Sequence, residues 1–500
     1  MFNSVQTPAK AKPILFGALV FFLLLWLPTP EGLTREAWSV VALAALMAIW
    51  WSTEAIPIPV TSLLPIVALP LLNISTSGAA TAPYAKPVIF LLLGGFITAM
   101  AMQKWHLHRR IALWIVSKAG NQPSHLIAGF MAASAFLSMW ISNTATSLMI
   151  IPIALTVANT LVPQNAKGHN FTTGLLIACA WAASIGGLGT YIGTPPNIFV
   201  KAFIEESTGQ EILFFQWMLF AIPVVLAMLP LAWIILTKFA FRFDPNLVQG
   251  GQSVIEKERK ETGAITPAEK RVAIILCTMA ILWMTRQLFV NNETITSLLP
   301  FVKYLTDSHI AVLGALAMFL IPNGMHSSQT DNLEDDQNKG DFLLQWEDAT
   351  KLPWGVLLLF GGGLSLASAI QSSGLAIWIG EGLSVLTTAP LFLMVFAIVL
   401  LVVFLTEFTS NTATTAALVP VMAAIATAGD FNPIMLAVPV AMSASCAFML
   451  PVATGPNAVV FSSGYLKVTD MMRAGLYLNI LGSFVVASLC YYLVPLIFNL

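Results

Sequence analysis

Apolar stretches of membrane-crossing length recur along the chain, and each predicts a helix spanning a bilayer. They cover 13–30, 36–51, 55–72, 86–103, 172–203, 214–240, 270–290, 308–322, 353–371, 433–464 and 472–498. Two further apolar stretches, 124–161 and 390–428, are interrupted near their middles by polar strings, SMWISNTATS at 138–147 and TEFTSNTATT at 406–415. The apolar arm from Leu126 to Leu137 is too short to cross, since a crossing takes roughly 20 residues. Each interrupted stretch therefore predicts a re-entrant helical hairpin that enters and leaves on one side. An ordinary broken helix crossing the bilayer is the alternative.

The same Ser-Asn-Thr-Ala-Thr string begins at 142 and again at 410, and the correspondence extends outward. VIFLLLGGFITAMA (88–101) parallels GVLLLFGGGLSLAS (355–368), and IALWI (111–115) parallels LAIWI (375–379). GTPPN (193–197) parallels TGPN (454–457). An odd number of crossings, five, separates the two hairpins in this reading, so the second enters from the opposite face. That is an inverted repeat, the arrangement that places transporter sites at a repeat interface.

Composition supports a lipid environment. Of 500 residues, 57% are hydrophobic and only 9% charged, with mean hydropathy +0.82, against about 25% charge in ordinary globular domains. A net charge of −1 leaves no basic surface for nucleic acid. Cys179, Cys277, Cys446 and Cys490 lie in apolar segments without metal-ligand spacing and are expected to be packing residues. Lys10 and Lys12 precede the apolar run Ile14–Leu27, but no small-x-small cleavage site follows, which predicts a retained first helix with a cytoplasmic start. The basic loop Lys104–Arg110 and the linker 238–271 should also be cytoplasmic, leaving the C-terminus outside. The acidic stretch 323–350 reads as a solvated segment without chemistry.

The polar strings carry the candidate chemistry. Small hydroxyl and amide side chains at a helix break cap the half-helix that follows, expected to start near Ala145 and Ala413. Its free N–H groups and positive dipole end suit an anion. Hydroxyls and the loose carbonyls of the preceding half-helix suit a hard cation such as sodium. Helix–helix glue is the plainer role for such residues, but two matched strings favour a site. Pro195-Pro196 and Gly455-Pro456 should unwind two more helices, leaving Asn197 and Asn457 near the breaks. Unwound backbone at membrane depth is tolerated only where it lines a cavity.

Residues 119–166, 168–200 and 431–466 contain no Lys, Arg, Asp or Glu. An anion held there has no fixed cation, so helix ends and bound sodium must neutralise it; a proton relay would need a chain of intramembrane acids or histidines. Glu407 could be such an acid, but is expected to be structural or interfacial, pairing with a neighbour. Glu54 is expected to cap a helix start, with Trp50 and Trp51 in an interfacial belt. Protease, hydrolase and nucleotide-binding motifs (HExxH, GxSxG, the Walker loop) are missing, so an enzyme is not expected.

Together WWSTEAIPIPVTSLLP, both SNTAT strings, GTPPN and ATGPN resemble the divalent anion/sodium symporter (INDY-like) family over nearly the whole chain. The resemblance implies an all-α polytopic membrane protein of inverted repeats, with two re-entrant hairpins and two broken helices. It also implies a homodimer in the cytoplasmic (inner) membrane working as an elevator-type transporter. On that pattern 1–120 and 271–388 are scaffold helices, 121–245 and 389–500 are transport-domain halves, and 246–270 is a cytoplasmic linker. By motif, the first sodium site would use Ser138, Ser142, Asn143 and the Gly193 carbonyl. The second would use Thr406, Asn411 and the carbonyls of Thr409 and Ala453. Substrate carboxylates would meet Asn143, Thr144 and Thr194 on one side, and Ser410, Asn411, Thr412 and Thr454 on the other. The expected function is sodium-coupled symport of C4-dicarboxylates such as succinate, malate and fumarate. Alternatives are a sodium-independent dicarboxylate exchanger, a citrate or sulfate transporter, and, from another class, an ion channel.

Overall fold

Both polar strings break a helix. The computed structural model describes residues 8–120, 122–162, 169–243, 251–324, 341–382 and 389–500. In it, Pro123–Ser138 is followed after a short turn by Asn143–Leu161, and Leu391–Thr406 by Asn411–Ala428. The second arms start two residues earlier than expected, because Ser142 and Ser410 themselves take the N-cap positions. The Ser142 hydroxyl accepts from the Ala145 N–H at 3.3 Å, an ordinary side-chain cap.

The proline signals also hold. Asn170–Gly187 ends before an unwound stretch, and Pro195–Thr208 begins with Pro195 and Pro196 in its first turn. Ile434–Ala444 and Gly455–Ser462 repeat the arrangement around Pro456. Both arms of the first broken pair pack against Asn170–Gly187, and both arms of the second against Ile434–Ala444. Arms that share one helix as a neighbour fold back beside each other.

Packing between the two halves is reciprocal. Pro195–Thr208 lies against Asn411–Ala428, while Gly455–Ser462 lies against Asn143–Leu161. The paired glycine motifs serve the same purpose. A Cβ on Gly94 would come within 2.6 Å of the Ala311 backbone, and one on Gly362 within 2.3 Å of the Ser62 carbonyl. Without side chains there, helix Pro87–Lys104 can meet Asp307–Leu320, and Trp354–Ser372 can meet the segment around Ser62. Close backbone approach of this kind replaces the hydrophobic drive that lipid removes.

Among the described residues, eight helices are long and apolar enough to cross a membrane, and the sole β feature is an isolated bridge between Pro322 and Phe342. The stretch read as one span over 55–72 is two short helices, Ile58–Thr61 and Leu64–Leu71, because Pro57, Pro59 and Pro65 punctuate it. Helices Leu107–Val116, Gly251–Glu261 and Leu375–Gly382 were not expected as separate elements. Gly251–Glu261 lies inside the stretch read as a linker; residues 246–250 of that stretch fall outside the described residues.

Several expectations need correction. Glu54 does not start a helix; it ends Arg35–Thr53 in a left-handed conformation, φ +46° and ψ +40°. Trp51 is not in an interfacial belt but buried, its indole donating to Ser62 Oγ at 3.1 Å. Cys277 is exposed, while Cys179, Cys446 and Cys490 are buried. The acidic stretch is built into the fold at its end: Asp348 pairs with Lys104 at 2.7 Å and accepts from the Gln345 N–H. Asp331, Glu334, Asp335 and Asp336 lie outside the described residues.

Candidate functional site

A cavity of about 530 Å³ opens where the two breaks and the two unwound stretches converge. Asn143, Thr144, Thr194, Ser410, Asn411, Thr412 and Thr454 all line it, as do Ser142, Gly193 and Ala453. Ser138, Thr406 and Thr409 stand behind this wall. Four helices begin on the wall, at Asn143, Pro195, Asn411 and Gly455. Their positive dipole ends make the cavity attractive to an anion although no Lys or Arg lines it, and the starts at Asn143 and Asn411, which carry no proline, add backbone N–H donors.

Behind the first tip, oxygens crowd together. The Asn143 side chain faces the Ser138 hydroxyl at 2.5 Å and the carbonyls of Ala183 and Gly193 at 3.3 Å each. With its amide nitrogen turned inward it donates to all three; with Oδ1 inward, it lies among three other oxygens of which only the Ser138 hydroxyl can donate. The second arrangement is what a sodium ion requires, and the residues present therefore fit one. Gly187 permits it, since a Cβ there would stand 2.3 Å from Asn143 Oδ1. Ala183 escaped the sequence reading; it lies one turn before the end of Asn170–Gly187, and nothing local marks its carbonyl.

Behind the second tip, Thr406 Oγ1 lies 2.7 Å from Asn411 Oδ1 and 3.0 Å from the Ala444 carbonyl. The Thr409 hydroxyl is taken up by the Leu405 carbonyl and Thr414, which leaves its own carbonyl as the group to offer a cation. Ser410 makes no side-chain cap bond, so its hydroxyl is available to a ligand.

The unwound stretches are held by matching asparagines. Asn197 Nδ2 donates to the carbonyls of Gly187, Leu188 and Thr190 at 3.1, 3.2 and 2.9 Å. Asn457 Nδ2 donates to those of Ala447 and Leu450 at 3.2 and 3.0 Å. Both asparagines are fully buried and brace the unwound stretches through Nδ2, while the Oδ1 atom of each has no hydrogen-bond partner among the described residues. The two halves differ in what else secures them. Thr190 Oγ1 donates to the Met139 carbonyl at 2.6 Å in the first. In the second, buried Glu407 accepts from the Phe448, Met449 and Leu450 N–H groups at 2.8, 2.9 and 2.8 Å, and from Asn479 Nδ2 at 2.7 Å. Glu407 is thus structural, as expected, though its partners were not readable from the sequence.

A second buried polar cluster joins the first unwound stretch to the helices after the linker. Tyr191 donates to Asp307 Oδ2 at 2.5 Å, and Asp307 Oδ1 pairs with Arg286 Nε at 3.0 Å. Arg286 also reaches Glu211 at 2.5 Å, and Lys201 pairs with Glu205.

This fold, with a cavity ringed by helix ends and lined by no Lys or Arg, defines a membrane transporter. A family profile described as "Sodium:sulfate symporter transmembrane region" matches residues 10–498. The chain is 40% identical over 499 residues to the sodium-dependent dicarboxylate transporter SdcS of Staphylococcus saprophyticus, covering 99% of this chain and 93% of that protein. It is likewise 40% identical over 493 residues to SdcS of Staphylococcus aureus, covering 97% and 92%. The chain therefore belongs to this symporter family, the divalent anion/sodium symporters that its motifs resemble. Its fold is also similar to the YdaH transporter of Alcanivorax borkumensis, with TM-score 0.58, 16% identity, and coverage of 95% of this chain and 97% of that one. MtrF of Neisseria gonorrhoeae gives TM-score 0.57 and 12% identity at the same coverage. At such identity these two bear on the fold alone.

Proposed function

We propose that this protein carries C4-dicarboxylates such as succinate, malate and fumarate across the cytoplasmic membrane together with sodium ions. Sodium-dependent dicarboxylate transport is the activity named for relatives 40% identical over nearly the full chain. The observation that carries the reading is the convergence of four helix N-termini on a cavity that no Lys or Arg lines. Those partial charges favour a dianion without neutralising it; sodium ions behind the two tips supply the rest. Ser138, Ser142, Asn143 and the Gly193 carbonyl form the first sodium site, now with the Ala183 carbonyl beside them. Thr406, Asn411 and the carbonyls of Thr409 and Ala453 form the second. Thr144, Thr194, Ser410, Thr412 and Thr454 join the two asparagines in holding the carboxylates.

In this reading the two halves are inverted repeats and the broken pairs are re-entrant hairpins, which the reciprocal packing supports. Segments 121–245 and 389–500 move as a transport domain against scaffold segments 1–120 and 271–388, with 246–270 as linker, in an elevator-type cycle. The functional unit is a homodimer, the N-terminus is cytoplasmic and the C-terminus outside.

Succinate uptake into proteoliposomes tests the proposal. Uptake should require external sodium and disappear in potassium or choline. Uptake that persists there and needs internal dicarboxylate would identify an exchanger instead. The family description names sulfate, so sulfate belongs in the competition series; sulfate outcompeting succinate would overturn the substrate assignment.

A further inference from the structure

One ionisable side chain lines the cavity among the described residues, and its sign is wrong for an anion site. Glu54 lines the cavity on which the four helices begin, as do Phe96 and Pro353. It is exposed, and among the described residues its carboxylate has no hydrogen-bond or ion-pair partner. Its backbone sits at φ +46°, its N–H bonded to the Trp50 carbonyl. Glycine or asparagine adopts this left-handed conformation more readily than glutamate does. A residue kept in a disfavoured conformation at a functional cavity points to a role for its side chain.

We propose that Glu54 is a charge-selecting residue: a fixed negative charge that makes dicarboxylate binding conditional on bound cations and scales the penalty with ligand charge. Without sodium, the carboxylate and an entering dianion repel each other across the cavity, and the helix ends alone must hold the ligand. With sodium bound, the site's positive charge outweighs Glu54. The wall carrying Glu54 belongs to helix Arg35–Thr53, separate from the elements that carry the oxygen clusters. The repulsion therefore acts while the site faces this wall. It favours unloading of the dianion once sodium has left.

The size of the effect follows from Coulomb's law. A unit charge and a dianion about 10 Å apart in water repel enough to weaken binding about fourfold, and a monoanion about twofold. Screening reduces both as ionic strength rises.

The inference rests on the cavity being the dicarboxylate site, and the experiment separates the two. Binding of succinate and of monomethyl succinate is titrated by calorimetry on purified full-length protein, at limiting and saturating sodium and at low ionic strength. Glu54→Gln should bind succinate about fourfold tighter and monomethyl succinate about twofold tighter at limiting sodium, with the gain shrinking in high salt. Glu54→Asp should match the wild type. Glu54→Asn removes the same charge in a residue at ease with this backbone, and should reproduce the gain if the glutamine variant folds poorly. Unchanged or weaker succinate affinity in the neutral variants, or equal shifts for both ligands, would overturn the proposal. Wild-type protein that binds no succinate at any sodium concentration would overturn the site reading itself, and this inference with it.

Discussion

Replacing Glu407 by alanine tests how the second half of the site is built. The carboxylate accepts four hydrogen bonds, three from consecutive N–H groups of the unwound stretch and one from Asn479. It is 1% exposed, so water does not stand ready to replace it. Four orphaned donors at about 1–3 kcal/mol each would exceed what the site loses, because the new cavity relaxes and hydrates. A cost of about 3–5 kcal/mol, as for removing one partner of a buried charged contact, is the better expectation. The freed stretch carries Ala453, whose carbonyl belongs to the proposed second sodium site. If only about 1.4 kcal/mol of the loss appears at sodium binding, half-saturating sodium rises tenfold. The assay is a thermal-shift titration with sodium and then succinate, run beside Glu407→Gln. The glutamine retains an acceptor oxygen and should fall between wild type and alanine. An alanine variant with wild-type melting temperature and sodium dependence would refute the reasoning.

Other expected outcomes are more local. Asn143→Ala or Asn411→Ala removes an oxygen from each proposed cluster and should lower apparent succinate affinity about tenfold or more, at roughly 1–3 kcal/mol per lost bond; near-normal transport by either would undo the site assignment. Asp307→Ala removes one of the two carboxylate partners of Arg286, 5% exposed in its side chain, and the acceptor of the Tyr191 hydroxyl, and should destabilise the fold by about 1–3 kcal/mol, with the Arg286→Ala, Asp307→Ala double variant costing less than the sum of the two single changes in thermal melts. Burial lowers the His108 pKa from 6.5 to about 4, opposed by its bond to the Met102 carbonyl, with His106 and Arg109 adding to the lowering. The unfolded chain therefore binds a proton that the folded one refuses between these values, so stability should fall as pH drops from about 6.5 to about 4, and His108→Gln should flatten that part of the melting profile.

How much was legible depended on whether the signal was local. The tips were readable because the polar strings are near-identical and helix capping acts within three residues. The proline breaks were readable because the constraint lies in the ring itself. Glu407 was legible only as something paired, since its partners stand 41 to 43 residues away at Phe448, Met449 and Leu450 and 72 residues away at Asn479. Ala183 gave no signal at all, because a carbonyl in the last turn of a helix comes to face Asn143 only through what packs against it. Glu54 misled because TEAIPIP looks like a helix start: prolines favour first turns, and an acid before them looks like a cap. The helix actually stops there, and the prolines belong to the short helices beyond. Trp51 misled for the opposite reason, its indole being satisfied by Ser62 in the interior and not by the headgroup region.

The ring of helix termini has a consequence for acidity. Backbone dipoles neither gain nor lose protons, and among the described residues Glu54 is the one ionisable side chain on the cavity wall. Any steep dependence of transport on mild acidification must then originate largely in the cargo, through the fraction of it that is doubly ionised. Diacids of differing second dissociation constant should accordingly trace rate curves displaced along the pH axis by their own chemistry, with one carrier serving them all.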